Sequence, residues 1–263
     1  VSTGVENTLI GALAGDALTD ADFNIAIGWG ALGADTLGSK AVAIGVGALD
    51  AQNFTTATDT FNVAVGHAAG SAVTTGRSNT LIGGKAGDHL TDADFNVAIG
   101  IDSLTADTLG SRTIAIGDSA LATQNFTTAT NSYNIAIGYS AGLRVTTGQL
   151  NTIIGSEAGD SLTDADKNVA VGYTALSSDT TGSQSTAVGY QALFTQNDST
   201  AVTNMNNTAV GYNAGSGLTT GVQGTFIGAL AGSNGAQTGD NNVAIGYSSG
   251  NALTSGVDNT FIG

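Results

Sequence analysis

The dipeptide Ile-Gly or Val-Gly recurs in phase at fifteen places along the 263 residues, and this repeat constrains the fold more than any other feature. Most units are 17 residues long, and one longer unit of 21 or 22 residues in every four gives a 72-residue super-repeat. Self-similarity at a fixed period is the signature of a repeat architecture. The anchor glycines are Gly11, Gly28, Gly45, Gly66, Gly83, Gly100, Gly117, Gly138, Gly155, Gly172, Gly189, Gly211, Gly228, Gly246 and Gly263.

The length and pattern of the unit predict one coil of a parallel β-solenoid. A 17-residue unit is too short for a propeller blade, at about 40 residues, or for a helical repeat, at about 33 or more. The residues one and three before each anchor are Ile, Val or Thr throughout, which suits a pleated surface. Positions two apart share a face of a strand, so we expect them to form the inward stripe. The sequence therefore predicts an all-β, parallel β-solenoid (β-roll) of about fifteen coils. We expect a single repetitive domain over residues 1–263, cut from a longer fibre protein or processed as a subunit.

Two further positions shape the predicted coil. The residue four before the anchor is Asn in eleven of the fifteen units, and stacked Asn side chains can bond one another and the turn backbone. The anchor glycine permits a corner that other residues cannot make. The extra residues of the longer units are expected to bulge as loops at residues 50–61, 122–133 and 195–206.

The residue two before the anchor is apolar in all fifteen units. Because it lies between the two positions assigned to the core, we expect it to face outward. A long exposed apolar stripe normally marks an interface. We therefore predict that copies of the chain pack together here; the alternative is a flattened solenoid whose own loops cover this face. The predicted interface comprises Leu9, Ala26, Ala43, Ala64, Leu81, Ala98, Ala115, Ala136, Ile153 and Ala170.

Several coils resemble repeats of known fibrous proteins. Asn-Ile-Ala-Ile-Gly at 24–28 and 134–138 and Asn-Val-Ala-Ile-Gly at 96–100 and 242–246 are similar to head repeats of trimeric autotransporter adhesins. The segment 207–215, Asn-Thr-Ala-Val-Gly-Tyr-Asn-Ala-Gly, also resembles repeats of phage and virus tail fibres. The resemblance implies a left-handed β-roll and three chains side by side, outside the cell or on a virion. It also implies a shaft or head that attaches to a cell-surface glycan or protein.

Composition excludes several other classes of function. The formal net charge is −15 with only six Lys and Arg, so the positive footprint of a nucleic-acid-binding protein is missing. Apolar runs stop after about five residues, far short of the roughly 20 that span a bilayer. His67 and His89 are isolated, without the spacing of a catalytic triad or a zinc site. We expect no enzymatic activity and no cofactor.

One acidic block recurs with the super-repeat, around the sequence Leu-Thr-Asp-Ala-Asp. Carboxylates at i, i+4 and i+6 could gather around Ca²⁺, which takes six to eight oxygens. The alternative is a solvated acidic turn that keeps the protein soluble. The candidate calcium ligands are Asp16, Asp20, Asp22, Asp88, Asp92, Asp94, Asp160, Asp164 and Asp166.

The residue after the anchor is aromatic in six coils: Trp29, Tyr139, Tyr173, Tyr190, Tyr212 and Tyr247. Aromatic side chains are common at recognition surfaces, and such a column could stack on sugar rings. The alternative is packing between adjacent coils at a corner.

Two other functions remain open beside the trimeric fibre. One is a filament that grows by head-to-tail stacking of coils. The other is a monomeric solenoid that binds carbohydrate or ice. Ice binding needs a regular rank of Thr, and Thr8, Thr80 and Thr152 lie four coils apart, which is too sparse.

Overall fold

The computed structural model describes residues 2–197 and 204–263 and confirms the predicted class. The described chain contains strands and turns without a helix, and its parallel strands stack in about fifteen coils of a β-solenoid. Contacts divide it into two units, Val1–Tyr133 and Asn134–Gly263.

In its described residues, the first unit has seven three-residue strands in one parallel sheet, ordered β1-β2-β4-β6-β7-β8-β10, and two short pairs, β3 with β5 and β9 with β11. Each of the seven is the segment just before an anchor glycine, paired without slippage to the same segment of the next coil. The strands are β1 (Thr8–Ile10), β2 (Ile25–Ile27), β3 (Gly38–Ser39), β4 (Val42–Ile44), β5 (Thr58–Asp59), β6 (Val63–Val65), β7 (Thr80–Ile82), β8 (Val97–Ile99), β9 (Gly110–Ser111), β10 (Ile114–Ile116) and β11 (Thr130–Asn131).

The second unit continues the same rule with eight strands in the part of it that is described. They pair in chain order, again in parallel and in register. These strands are β12 (Ile135–Ile137), β13 (Thr152–Ile154), β14 (Val169–Val171), β15 (Thr186–Val188), β16 (Thr208–Val210), β17 (Thr225–Ile227), β18 (Val243–Ile245) and β19 (Thr260–Ile262).

The anchor glycine ends each strand, as the sequence predicts. Gly28 has φ +132°, a conformation that L side chains rarely adopt, and a Cβ there would lie 2.5 Å from the carbonyl oxygen of Gly45. The next corner uses left-handed residues that are not glycine, such as Leu32 at φ 55°. The strands are short because a sharp corner follows every third residue of the sheet.

Buried Asn side chains tie neighbouring coils together, which confirms the expected ladder. Asn96 accepts the Thr113 N–H at Oδ1 (2.9 Å) and donates from Nδ2 to the Gly110 carbonyl oxygen (2.9 Å). Its own N–H donates to Oδ1 of Asn79 in the coil before (3.0 Å). Each amide thus satisfies backbone groups at a corner that the solenoid buries.

The core lies on the opposite side of the strands from the one that the sequence pattern predicted. The middle residue of each strand points inward: Ala26, Ala43, Ala64, Leu81, Ala98, Ala115, Ala136, Ile153 and Ala170 are all fully buried inside their own chain, and Leu9 in the first coil is half-buried. The nine buried residues are therefore wrong as an interface, because another copy cannot reach them, and Leu9 lies at the same inward position of its strand. The Ile, Val and Thr residues on either side of them face outward.

The physical reason for the inversion is the narrow cross-section of the coil. Three residues after the anchor each coil has a buried Ala or Ser, and four residues after it a fully buried Leu or a Gly; the coil of Ala98 has Ser103 and Leu104 at these places in the facing wall. Where the middle residue is larger, the Leu becomes Gly: a Cβ on Gly87 would lie 2.9 Å from Cδ2 of Leu81. Two inward β-branched side chains per strand would need a wider coil than this wall allows.

The longer units behave as expected where they are described. Residues 55–57 are exposed, and the chain then rejoins the ladder through β5. Phe54 and Phe126 turn back into the core beneath the two bulges of the first unit. Half of the third predicted loop, residues 195–206, lies outside the described residues.

Candidate functional surfaces

The most extended candidate surface is the outer side of the strands, here called the outward face. It consists of the first and third residue of every three-residue strand. Those positions hold only Ile, Val and Thr, and all are half-buried or exposed, in both units. Sheet faces with alternating patterns usually turn their polar residues to solvent. This face does the reverse, so a large apolar surface is left in solvent in the isolated chain.

Thr is unevenly distributed on this face. In the second unit three successive strands, β15, β16 and β17, begin with Thr186, Thr208 and Thr225. These residues pair directly with one another across the sheet. Each is followed two residues later by an exposed or half-buried Val or Ile, so Thr and aliphatic side chains form parallel ranks.

The predicted aromatic residues lie in a second surface, the post-anchor column, which comprises the residue after each anchor glycine. All six aromatic side chains there are exposed. The Tyr190 ring stacks on those of Tyr173 and Tyr212, with centroids 5.5 and 5.3 Å away and interplanar angles of 21° and 13°. The Glu157 carboxylate beside Tyr173 raises the pKa of that phenol above its ordinary value. Trp29 belongs to the same column in the first unit.

The predicted calcium ligands do not assemble into a site. Asp22 accepts the Val5 N–H (2.8 Å), and Asp94 accepts the Arg77 N–H (2.7 Å), each bonding the coil before it. Asp166 repeats the contact on the Gln149 N–H (2.7 Å). These carboxylates therefore serve as links between coils.

The other members of the acidic block also point to separate neighbours. Asp20 and Asp92 accept hydroxyls of Thr3 and Thr75 at 2.8 and 2.7 Å, and Asp164 accepts that of Thr163 at 3.1 Å. Asp88 accepts a hydrogen bond from the Thr105 hydroxyl, and the same carboxylate lies 3.1 Å from Nδ1 of His89. Asp16 is exposed. Asp160 is partly buried, and this burial raises the pKa of its carboxyl. Across residues 2–197 and 204–263, no group of three His, Asp or Glu side chains could hold a metal ion. The arrangement does not fit Ca²⁺.

Sequence reasoning missed a third surface, the pre-strand column, formed by the residue five before each anchor. Its residues all have φ between 52° and 63°, including bulky ones such as Phe61 and Phe95. Both rings are about half exposed; the Lys40 ammonium lies 5.4 Å from the Phe61 centroid, and the Arg112 guanidinium 4.8 Å from that of Phe95. The recurrence of aromatic residues just before the Asn was the available signal.

Sequence reasoning also missed a buried polar layer that recurs with the super-repeat. Asp107 is fully buried, and its carboxylate accepts Gln124 Nε2 (2.6 Å) and the N–H groups of Gly110 (3.1 Å) and Phe126 (3.0 Å). Burial raises the pKa of Asp107, and these bonds oppose that rise. Asp35 with Gln52 and Asp179 with Gln196 repeat the contact. An Asp followed by Gln 17 residues later, three times, was the signal.

Comparison with known proteins adds no assignment to this geometry. No protein-family model matches the chain, and no curated protein is similar enough to count as a relative. In the described part of the chain there is also no helix long and apolar enough to cross a membrane. Support for a function therefore comes from the surfaces of the solenoid itself.

Proposed function

We propose that this chain is a non-catalytic, structural and adhesive segment, a shaft or head, of an extracellular fibre such as a surface adhesin or a viral tail fibre. The observation that carries the proposal is the outward face. In each unit, every coil exposes two Ile, Val or Thr side chains at the same place, which makes a continuous apolar strip. Contiguous apolar strips on a protein surface mark sites of association. The occupant we propose is the same face of two further copies, which gives a homotrimer.

Two features of the coil support a fibre. Within each unit, every strand of the main sheet is bonded in register to the next, so each coil contacts only its neighbours and the ladder resists local opening. The exposed bulge at residues 55–57 recurs one super-repeat later in the first unit, at 127–129. A trimer would present each bulge three times, and multiple weak contacts to a glycan or protein receptor would then add as avidity.

The proposal is tested by the native mass of the chain, measured by light scattering over a range of concentrations. A mass three times that of the 25.8 kDa chain supports the trimer. A mass that keeps growing with concentration favours a head-to-tail filament. A monomer at every concentration rules out self-association as the role of the outward face.

Matched variants locate the contact. Val97→Asp and Ile99→Asp place a carboxylate on the outward face, and we expect both to give monomers because a charge cannot be buried there without a partner. Phe95→Asp is the control, since Phe95 is exposed and apolar but belongs to the pre-strand column. Dissociation by Phe95→Asp, with no effect of the other two, would place the contact elsewhere.

Ice binding by a monomer is the second candidate, and the ranks of Thr and aliphatic side chains on β15 to β17 favour it. Because the first strand position faces outward, the relevant Thr residues are adjacent in this unit. Thermal hysteresis of a freezing solution tests the idea. Activity that is lost in Thr208→Tyr would support ice binding, and a freezing point equal to that of a buffer control would exclude it.

A further inference from the structure

The post-anchor column of the second unit is a regular ladder. The carbonyl group of each member accepts the N–H of the residue that follows the next member: Glu157 N–H bonds Tyr139 O at 2.8 Å, and Thr174 N–H bonds Ser156 O at 3.1 Å. The same bond recurs at the next four steps, from Gln191 to Tyr173, Asn213 to Tyr190, Leu230 to Tyr212 and Ser248 to Ala229. The backbone therefore holds successive members in one line, whatever their side chains.

Where three successive members are Tyr, the rings occupy this line as a stack. The centroid separations of 5.5 and 5.3 Å follow the spacing of neighbouring parallel strands, about 4.8 Å. The small interplanar angles show that the rings present faces to each other along the ladder. The direction of the faces is thus set by the solenoid.

Two members of the ladder lack a ring although both of their neighbours are Tyr. Ser156 lies between Tyr139 and Tyr173, and Ala229 lies between Tyr212 and Tyr247. A ring seated in either gap would replace the missing rung, at the separation that Tyr190 keeps from Tyr173 and Tyr212. Each gap is therefore one ring wide and bounded by a Tyr on both sides.

The exposure of the rings is consistent with open gaps. Tyr190, with a ring on both sides, is 43% exposed, whereas Tyr139, Tyr173 and Tyr212, which border gaps, are 56%, 47% and 54% exposed. The extra exposed surface is aromatic and is available to a ligand.

We propose that each gap binds one planar aromatic ring system, sandwiched between the two bordering tyrosines. The gaps differ in charge. Glu157, next to Ser156, holds its carboxylate against Tyr173, so this gap favours a cationic ring, through attraction to the carboxylate and to the faces of Tyr. The residue next to Ala229 is Leu230, so that gap lacks the carboxylate and attracts a cationic ring only through the faces of its two tyrosines.

The test is a titration of the intact chain with N-methylquinolinium, a planar cation, followed by calorimetry or by Tyr fluorescence. We expect two sites per chain. Ser156→Tyr and Ala229→Tyr each fill a gap and should each remove one site, and the double variant should remove both. Ser156→Ala and Ala229→Ser keep the gaps open and should keep both sites. Binding that survives the double Tyr variant, or a wild-type chain that binds no probe, would overturn the proposal.

Two further variants distinguish binding in a gap from general adsorption to the aromatic surface. Tyr190→Ala removes an exposed ring and opens a new gap between Tyr173 and Tyr212, so we expect a third site. General adsorption to aromatic surface predicts weaker binding in that variant. Glu157→Gln should weaken N-methylquinolinium by about two- to fivefold at one of the two sites and leave uncharged quinoline unchanged. A uniform change at both sites would contradict the assigned role of Glu157.

Discussion

The inner and outer positions of a single strand differ more than any two surfaces of the molecule. In β8, Ala98 is completely buried, while Val97 and Ile99 on either side of it remain partly in solvent. A globular sheet normally places its large apolar residues inside and its small or polar ones outside. The reversed distribution shows that the narrow coil selects small residues for its interior. The branched residues outside are then a surface to be covered by something else.

The largest expected effect comes from enlarging the inner position. Ala98→Leu should lower the free energy of unfolding by about 2 to 3 kcal/mol, because the added atoms enter a fully packed wall. Ile99→Leu, which introduces the same residue on the outward face without adding atoms, is the control and should stay within about 0.5 kcal/mol. Urea unfolding followed by circular dichroism measures both.

The loss of stability expected for Ala98→Leu can be compensated by a second substitution in the facing wall. Leu81 is accepted because Gly87 and Gly70 lie beside it, where a Cβ would be 2.9 and 2.6 Å from its methyl groups. Replacing Leu104 by Gly in the Ala98→Leu chain copies this pairing. We expect the double variant to be more stable than the sum of the single changes predicts. Strict additivity would show that the two positions do not share one volume.

The second effect concerns the inner Asn ladder. Asn96→Ala leaves the Thr113 N–H and the Gly110 carbonyl without their partner in a buried corner, so we expect a loss of about 2 kcal/mol. Asn53, which is exposed and does not have a left-handed backbone, provides the matched control in Asn53→Ala. Equal losses in the two variants would mean that burial of the ladder contributes nothing.

A smaller effect, which depends on pH, follows from the buried carboxyl of Asp107. Because its pKa is raised in the folded state, the folded chain binds this proton more readily than the unfolded chain. Its contribution to stability is thus most favourable at low pH and is lost as the pH rises from about 4, near the unfolded value, through the folded one. Urea unfolding between pH 3.5 and 7 should show wild type losing stability relative to Asp107→Asn across that window. The opposite trend would contradict the raised pKa.

The smallest effect is expected on the outward face of the isolated chain. Ile99→Thr exchanges one half-exposed branched residue for a smaller branched residue that the outward face also carries, at the first strand position of other coils, such as Thr186. Its free energy of unfolding should change by less than about 0.5 kcal/mol when the chain is monomeric. A loss comparable to that of Ala98→Leu would mean that Ile99 belongs to the core.

The sequence alone was sufficient for the solenoid, the register and the Asn ladder, because each of these repeats along the chain. It could not decide which side of the strand faces inward. Alternation shows that Val97 and Ile99 share a face, but a strand such as β8 has no polar residue by which to orient that face, and the Thr that begins other strands is only a weak polar signal. The deciding information is the wall opposite, where Leu104 alternates with Gly along the chain, and that pairing is visible only when the coil is closed.

Some candidate functional residues could be predicted from the sequence and others could not, because contacts between coils are not visible in a linear pattern. The Tyr column was found because Tyr recurs at one place in the repeat. The acidic block also recurs, yet its carboxylates bond neighbouring coils one by one, since contacts 17 residues apart replace contacts within the block. The Asp107 layer was missed because its partner Gln124 belongs to another coil.

Cysteine labelling at two adjacent positions tests the central claim most directly, because the chain has no Cys of its own. Ala170→Cys on the inner side should resist a maleimide reagent in the folded chain at every concentration. Val169→Cys on the outward face should react quickly in dilute solution and slowly at high concentration, where self-association covers it, while an exposed control, Gln223→Cys, reacts quickly throughout. Rapid labelling of Val169→Cys at all concentrations would contradict the covered face, and rapid labelling of Ala170→Cys would contradict the orientation of the strand.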